Sequence, residues 1–229
     1  ASPEQVRVCG NIKFDLEYPE QAIVEGKKLK SSEFSNRKVF IAASTHKGEE
    51  NIILDAYKKI KAANPGLLLV IVPRHPERFD DVAALCVQQG FSVARRTSGL
   101  PCGPDTEVYL ADTMGELKML YAAADVAFIG GSLLPIGGHN FLEASAVGVP
   151  VLFGPYMANF KEISEKVLAY DAAVQCKDAD ALVAAVNNTL KNPNAAERLC
   201  NNGRNFLQDN RGAIDGLLAI LIESINKRH

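Results

Sequence analysis

Six consecutive apolar residues run from Leu67 to Val72, between the turn-forming Asn64-Pro65-Gly66 and Pro73. A strand with one solvated face shows a polar residue at every second position, so an unbroken apolar run indicates a strand covered on both faces. Strands of this kind belong to parallel sheets, and helices connect them. This segment therefore directs the chain to an α/β fold.

The rest of the chain alternates between strand and helix patterns. Apolar positions 52, 53, 56, 57 and 60, for example, mark one face of a helix that begins near Gly48. Strands are predicted at 39–43, 67–72, 91–94, 108–111, 126–129 and 149–153, and helices at 48–63, 76–90, 113–123, 140–147, 159–169, 179–191, 195–208 and 212–226. The predicted fold is an α/β, Rossmann-like parallel sheet with helices on both faces.

The first 38 residues lack this alternation. We predict that 1–38 is a lead-in or interdomain segment packed on one domain, 39–229, whose C-terminal helices occupy 179–226. Within the lead-in, a Lys-rich helix is predicted around 20–30, and 6–12 has the pattern of a strand and turn already in progress. Since the chain begins with Ala1 rather than Met, we expect a domain of a longer polypeptide or a processed chain.

Composition excludes several classes of protein. The 25 Lys+Arg and 27 Asp+Glu leave a formal net charge of −2, which lacks the basic footprint of a nucleic-acid binder. No apolar run approaches the ~20 residues that a membrane span needs. The five cysteines are widely spaced and include no CxxC pair, which indicates reduced thiols rather than disulfides. We expect a soluble intracellular domain that binds no nucleic acid.

Polar clusters directly follow four of the predicted strands. They are Ser44-Thr45-His46, Arg74-His75, 112–116 and 130–143. Ligands of open α/β sheets bind outside the carboxyl ends of the strands. Because the four clusters share that edge, they predict a ligand site there.

Two of these clusters match a capping box, Thr113-x-x-Glu116 and Asn140-x-x-Glu143. The alternative is that helix N-termini at this edge offer free N–H groups to a phosphate. Glu143 would then contact a ribose or a base. Both interpretations stay open at this point.

Other residues of the clusters are equally ambiguous. Arg74 suits phosphate or carboxylate recognition because a guanidinium presents a planar fork of donors, and the alternative is an ion pair with Glu77. Gly130-Gly131 and Gly137-Gly138 allow either a close approach of backbone to a ligand or a flexible turn.

The sequence also lacks several known motifs. The histidines lack metal-ligand spacing, so no zinc site is predicted. GxxxxGK[ST], GxGxxG with a following acid, and GxSxG are absent, which disfavours a P-loop, a dinucleotide site and an α/β-hydrolase.

Several motifs together resemble one family. They are GNIKFD at 10–15, STHKGEE at 44–50, VPRHPERF at 72–79, DTMGEL at 112–117, GGS at 130–132 and GGHNFLE at 137–143. In this order they resemble the 3-deoxy-D-manno-octulosonic acid (Kdo) transferases of lipopolysaccharide assembly. The resemblance covers most of the chain and weakens after about residue 170. GGHNFLE with the following Gly-x-Pro-Val is shared with many GT-B glycosyltransferases, whereas the first three motifs are more specific.

The resemblance implies the C-terminal half of a GT-B glycosyltransferase, in which two Rossmann-like halves face each other across a cleft. It implies an inverting transfer of Kdo from CMP-Kdo to a lipid A precursor, at the cytoplasmic face of the bacterial inner membrane. The family's general base, a glutamate, belongs to the other half, as do its acceptor surface and membrane association. This chain alone is therefore expected to be inactive.

The resemblance also implies roles for particular residues. CMP would be held by Pro73, Arg74, Met114, Gly115, Glu116, Asn140, Phe141, Leu142 and Glu143. Additional candidates are Ser44, Thr45, His46, Gly131, Ser132, Gly138 and His139. Lys13 would stabilise negative charge that develops in the transition state, although without the surrounding motif such a lysine is better interpreted as a solvated linker charge.

No metal or other cofactor is expected, because a nucleoside monophosphate leaving group carries less charge than a pyrophosphate and cationic side chains can stabilise it. Two alternatives stay open. One is a stand-alone nucleotide-binding module without transfer chemistry. The other is a different GT-B enzyme, such as a nucleotide-sugar epimerase.

Overall fold

The computed structural model describes residues 6–17 and 19–226. Its strands are β1 (Val39–Thr45), β2 (Leu68–Pro73), β3 (Val93–Arg95), β4 (Val108–Leu110), β5 (Val126–Ile129), β6 (Val151–Phe153) and β7 (Ala173–Gln175). They form a single parallel sheet in the order β3-β4-β2-β1-β5-β6-β7. The predicted parallel α/β sheet is confirmed.

Helices cover both faces of this sheet. They are α1 (Glu20–Ser32), α2 (Glu49–Ala63), α3 (Phe79–Gln88), α4 (Leu117–Ala122), α5 (Leu142–Val147), α6 (Lys161–Ala169), α7 (Ala179–Lys191), α8 (Pro193–Asp209) and α9 (Ala213–Asn226). None of the helices within the described residues is long and apolar enough to cross a membrane.

The central strands are buried on both faces, as their unbroken apolar sequences require. Neighbouring residues of β2 face opposite ways, so that Val70 joins one apolar cluster and Leu69 joins the other. β1 runs beside β2 in parallel, with Val39 opposite Leu68 and Ala43 opposite Val72. This double-sided core fixes the positions of the strand ends and of the loops that follow them.

Three predicted elements differ from the structure. Residues 6–11 form no strand, and a 3-10 helix occupies Ile12–Phe14, since no strand lies beside the segment to pair with it. α4 begins at Leu117 rather than at residue 113, because Gly115 adopts a φ of +84° that a right-handed helix cannot contain. β7 was not predicted, since three residues at a sheet edge carry too little periodicity.

The strand order reverses direction between β1 and β5. β1 is followed by β2 on one side, whereas the chain later returns through α4 to place β5 on the other side. Connections therefore leave this point in opposite directions, which opens a crevice at the carboxyl ends of β1 and β5.

The backbone is unusually close-packed at this crevice. A Cβ on Gly130 would lie 2.5 Å from the carbonyl oxygen of Ser44, so only glycine fits there. Ser44 itself has a φ of +57°, and the pairing of β1 with β2 shifts register between Ala43 and Thr45. Left-handed backbone at a non-glycine residue persists only where its surroundings hold it, and it is found preferentially at functional sites.

Candidate functional site

A buried carboxylate holds the loop that follows β5. Glu49, the first residue of α2, is fully buried. Its carboxylate accepts hydrogen bonds from the backbone N–H groups of Gly131 (2.7 Å), Ser132 (3.1 Å) and Leu133 (3.0 Å), and from that of His46 (3.3 Å). Burial raises the pKa of Glu49, and these hydrogen bonds oppose that rise. One side chain thus ties the end of β1 to the end of β5.

The neighbouring Glu50 is also fully buried, and its carboxylate connects the end of β1 to the segment that follows β2. Arg78 donates two hydrogen bonds to it, at 2.6 and 3.0 Å, and the Thr45 hydroxyl donates a third at 2.9 Å. The carbonyl oxygen of Thr45 in turn accepts from the backbone N–H of Arg74 (3.0 Å). The Thr45 side chain is therefore engaged inside the protein, and only its backbone faces the crevice edge.

Three histidines meet above these carboxylates. The Nε2 atoms of His46 and His139 are 2.6 Å apart, and the two rings are stacked with centroids 4.9 Å apart. The ring of His75 meets that of His46 edge-on at 5.2 Å. Burial, reinforced by nearby cationic groups, lowers the pKa of His46 and lowers that of His139 to about 4. Both rings of the stacked pair are consequently uncharged at neutral pH.

Beside the histidines lies a cleft with about 220 Å³ of space, which we call the Arg74 cleft. Its lining includes the predicted residues Ser44, Pro73, Arg74, Met114, Gly115 and Glu116. The structure thus brings together residues from the ends of β1, β2 and β4, as the strand-end rule predicts.

Arg74 itself is exposed at this cleft, and its guanidinium forms no ion pair or hydrogen bond with any residue that the structure describes. The alternative of an ion pair with Glu77 is wrong, since Glu77 instead lies 3.9 Å from Nδ1 of His75. The guanidinium is therefore free to bind a ligand.

Glu116 forms an ordered wall of the same cleft. Arg96 donates two hydrogen bonds to it, at 3.1 and 2.9 Å, and a third to Glu33 at 2.7 Å. The Thr113 hydroxyl also bonds to Glu116. Hydrogen bonds from Arg96 lower the pKa of Glu116, although burial opposes this. The predicted capping box is wrong here, because this carboxylate pairs with Arg96 instead of closing the start of α4.

The predicted residues 140–143 lie at the start of α5 and do not line the Arg74 cleft. The Asn140 side chain accepts a hydrogen bond from the Leu142 N–H at 3.0 Å, but Glu143 does not return a bond, so the second capping box is only half formed. Phe141 and Leu142 are fully buried, so their side chains cannot contact a ligand. The Glu143 carboxylate is partly exposed, 3.9 Å from the Lys118 ammonium.

Two further candidates shape the loop rather than face the crevice. The buried Ser132 hydroxyl accepts from the Gly154 N–H at 2.7 Å and donates to a backbone carbonyl. The Gly138 N–H donates to the carbonyl oxygen of Gly131 at 2.7 Å and folds the loop back on itself. The Ser132 side chain therefore acts within the protein, contrary to its prediction as a ligand contact.

Lys13, the predicted transition-state stabiliser, lies outside the Arg74 cleft. It belongs to the 3-10 helix Ile12–Phe14, is exposed, and places its ammonium 4.4 Å from the centre of the Phe160 ring. Phe160 in turn contacts the Phe141 ring, so Lys13 lies on the side of the 140–143 segment. Its catalytic role stays a prediction.

The comparison with known families matches residues 25–206 to the glycosyl transferases group 1. The chain belongs to this family. The 3-deoxy-D-manno-octulosonic acid transferase of Haemophilus influenzae is 41% identical over 219 residues, which are 95% of this chain and 51% of that protein. The chain thus spans about half the length of the curated relatives it matches.

Solved structures of glycosyl transferases support the same relationship. The C-terminal CMP-Kdo binding domain of WaaA from Acinetobacter baumannii is 38% identical, with a TM-score of 0.79, over 82% of this chain and 99% of that domain. Anabaena Alr3699/HepE, solved with UDP and glucose, is 17% identical over 95% of this chain and 55% of its own, with a TM-score of 0.63, which shows the fold alone. The predicted resemblance and the GT-B fold are confirmed.

The sequence did not indicate a role for four residues that hold this site in place. They are the buried Glu49 and Glu50 and the half-buried Arg78 and Arg96. The sequence does contain the Glu49-Glu50 pair, inside STHKGEE. Acidic residues in the first turn of a helix are ordinarily solvent-exposed, so the pair did not indicate a buried support of the site. Within the described residues, no three His, Cys, Asp or Glu side chains are grouped as metal ligands.

Proposed function

We propose that this chain is the donor-binding domain of an inverting Kdo transferase and that it binds the CMP part of CMP-Kdo in the Arg74 cleft. The observation that carries the proposal is the 38% identity to the CMP-Kdo binding domain from Acinetobacter baumannii over 99% of that domain. The unpaired guanidinium of Arg74 supports it, because an exposed donor fork at the carboxyl edge of a parallel sheet suits an anionic nucleotide.

The geometry supports a division of roles within the site. Arg74 and Pro73 form one wall of the cleft and Met114-Gly115-Glu116 the other. The Arg74 guanidinium donates to the phosphate. Glu116, already oriented by Arg96, accepts from the nucleotide's polar hydrogens. Glu143, partly exposed, accepts from a ribose hydroxyl, and the buried Phe141 and Leu142 anchor the segment that carries it.

Donor binding in this proposal needs no metal ion. The leaving group is a nucleoside monophosphate, whose charge a guanidinium and backbone N–H groups can balance. Arg74 supplies a permanent positive charge, since a guanidinium stays protonated at any physiological pH.

In the full-length enzyme, the acceptor hydroxyl of a lipid A precursor attacks the anomeric carbon of Kdo. The bond from that carbon to the phosphate oxygen breaks, CMP leaves, and the hydroxyl proton passes to a general base. A base must lie about 2.6–3.2 Å from that hydroxyl, directly or through one water. We propose that the other half of the enzyme supplies this base, the acceptor surface and membrane association at the cytoplasmic face of the inner membrane, while Lys13 stabilises the departing charge.

Calorimetric titration of the chain with CMP, cytidine and UDP, each with and without EDTA, tests the proposal. We expect CMP to bind more tightly than UDP. It should bind at least about tenfold more tightly than cytidine, which lacks the phosphate, since a charge-assisted hydrogen bond contributes roughly 1.5–3 kcal/mol. EDTA should leave the CMP affinity unchanged.

Four results would contradict the proposal. Absence of CMP binding would remove the donor site. Tighter binding of UDP would favour a different GT-B enzyme, such as an epimerase. A strict magnesium requirement would overturn the metal-independent account. Transfer of Kdo by the chain alone would show that the catalytic machinery is not divided between two halves.

A further inference from the structure

The stacked histidines lie at the point where the strand order reverses. His46 follows β1, and His139 belongs to the loop that follows β5, so the pair spans the crevice in which ligands of such sheets bind. Glu49 fixes both ends of this arrangement. It accepts from the His46 N–H and from the N–H of Gly131, a residue packed directly against the His139 ring.

The charges around the pair are predominantly positive. The guanidinium of Arg74 and the ring of His75 face it from the end of β2, and Arg78 acts on His46 while it is paired with Glu50. The Glu49 carboxylate lies beside the pair, where backbone N–H groups bond to it. The carboxylate of Glu77 lies against His75 rather than against the pair. No carboxylate of the described residues forms a hydrogen bond with either ring of the pair.

We propose that the His46–His139 pair is an anion-binding subsite of the donor site, and that it takes up one proton when a phosphate or carboxylate group of the ligand binds. This inference rests on the proposed function and assigns to the pair a role that donor binding by the Arg74 cleft does not require.

The chemistry of two imidazoles gives the physical reason. In the uncharged pair one Nε2–H donates to the other Nε2, so one ring keeps an Nδ1–H and the other has a bare Nδ1. A proton from solvent adds to that bare nitrogen. The pair then has two Nδ1–H donors and one positive charge, while the bond between the Nε2 atoms is kept. Arg74 and His75 oppose this proton in the empty site, and a bound anion offsets their repulsion.

Imidazole-nitrogen NMR of the chain tests the proposal. The titration of the side-chain ¹⁵N signals is followed from about pH 3.5 to 8 without ligand, with cytidine, with CMP and with CMP-Kdo. The sequence contains four histidines, so the variants His46→Gln, His75→Gln and His139→Gln assign the signals. His75→Gln is also the matched control, since it removes a neighbouring imidazole and keeps the pair.

We expect a bound anion to move the titration midpoint of the pair upward by at least about one pH unit, a tenfold gain in proton affinity. A shift with CMP but not with cytidine identifies the phosphate as the bound anion. A shift that requires CMP-Kdo identifies the sugar carboxylate. The midpoint should still move in His75→Gln.

An unchanged midpoint in protein whose nucleotide binding is evident from other resonances would overturn the subsite and leave the proposed function intact. If no resonance responded to either nucleotide, the proposed function and the subsite would both be wrong. The wild-type comparison decides between these outcomes even if one of the glutamine variants fails to fold.

Discussion

Two clefts of the described chain differ in the property that identifies a binding site. The Arg74 cleft has about 220 Å³ of space. The other, which we call the Lys161 cleft, has about 530 Å³ and is lined by residues that include Ile136, Tyr156, Lys161 and Glu165. The larger of two clefts is the default choice for a ligand site.

The charges that line the two clefts favour the smaller one instead. Lys161 and Glu165 lie one helical turn apart on α6 and carry opposite charges, so together they add no net charge to the Lys161 cleft. The Arg74 cleft instead contains a guanidinium without a partner among the described residues, facing a carboxylate that Arg96 already orients. Uncompensated, preoriented polar groups therefore mark the smaller cleft as the nucleotide site, and volume alone would mislead.

The largest expected effect is on the free energy of unfolding, at the Glu50–Arg78 ion pair that supports the Arg74 cleft. Glu50→Ala leaves the Arg78 guanidinium without its buried partner, and removing one member of a buried ion pair costs about 3–5 kcal/mol of unfolding free energy. Glu165→Ala, in the exposed wall of the Lys161 cleft, should change that free energy by less than about 0.5 kcal/mol. Denaturant unfolding measures both. Equal effects would show that the two clefts rest on equivalent structure.

The second effect concerns binding rather than folding. Arg74→Ala should weaken CMP binding by about 10–100-fold, the range that losing a hydrogen bond to a charged group produces. The matched variant Lys161→Ala removes a cation from the other cleft and should alter the affinity by less than about twofold. Calorimetry compares the two. A larger loss of CMP affinity with Lys161→Ala than with Arg74→Ala would instead place the nucleotide in the Lys161 cleft.

Glu143→Ala should weaken CMP binding by about threefold to tenfold, because it removes one hydrogen bond to an uncharged ribose hydroxyl. The melting temperature should change little, since Glu143 does not bond the start of α5. If the carboxylate acted as a helix cap instead, stability would fall by about 0.5–2 kcal/mol with the CMP affinity unchanged. Thermal unfolding and calorimetry on one variant separate the two roles.

The smallest effect on binding is expected at Lys13, which contacts Phe160 outside the Arg74 cleft. Lys13→Ala should change the CMP affinity of the chain by less than about twofold, yet lower kcat of the full-length enzyme, as loss of an interaction made mainly in the transition state does. Lys27→Ala, an exposed lysine of α1, is the control for both assays. If kcat were unchanged in Lys13→Ala, Lys13 would have no catalytic role and would be only a solvated charge.

The fold could be predicted because its signals are local and long. The apolar run of β2 and the apolar face of α2, with Ile53, Ala56, Tyr57 and Ile60 buried as the periodicity requires, fix the alternation of strand and helix. The three-residue β7 was missed and the start of the six-residue α4 was misplaced. In elements this short, a single residue such as Gly115 decides where they begin.

The site was predictable only in part, for a different reason. Arg74 and Met114 meet because strand ends share an edge, which the sequence indicates. The burial of Glu49 depends on backbone N–H groups more than 80 residues away, at Gly131 and Leu133. Contacts between residues so far apart leave no periodic pattern in the sequence. Neither these contacts nor the meeting of His46 and His139 could therefore be predicted without the structure.

Backbone amide chemical-shift mapping with CMP tests most directly the claim that uncompensated charge, rather than volume, marks the nucleotide site. The account predicts the largest shifts at Arg74, Gly115 and Glu143, and shifts within the noise at Lys161 and Glu165. Large shifts at Lys161 and Glu165 with none around Arg74 would contradict it.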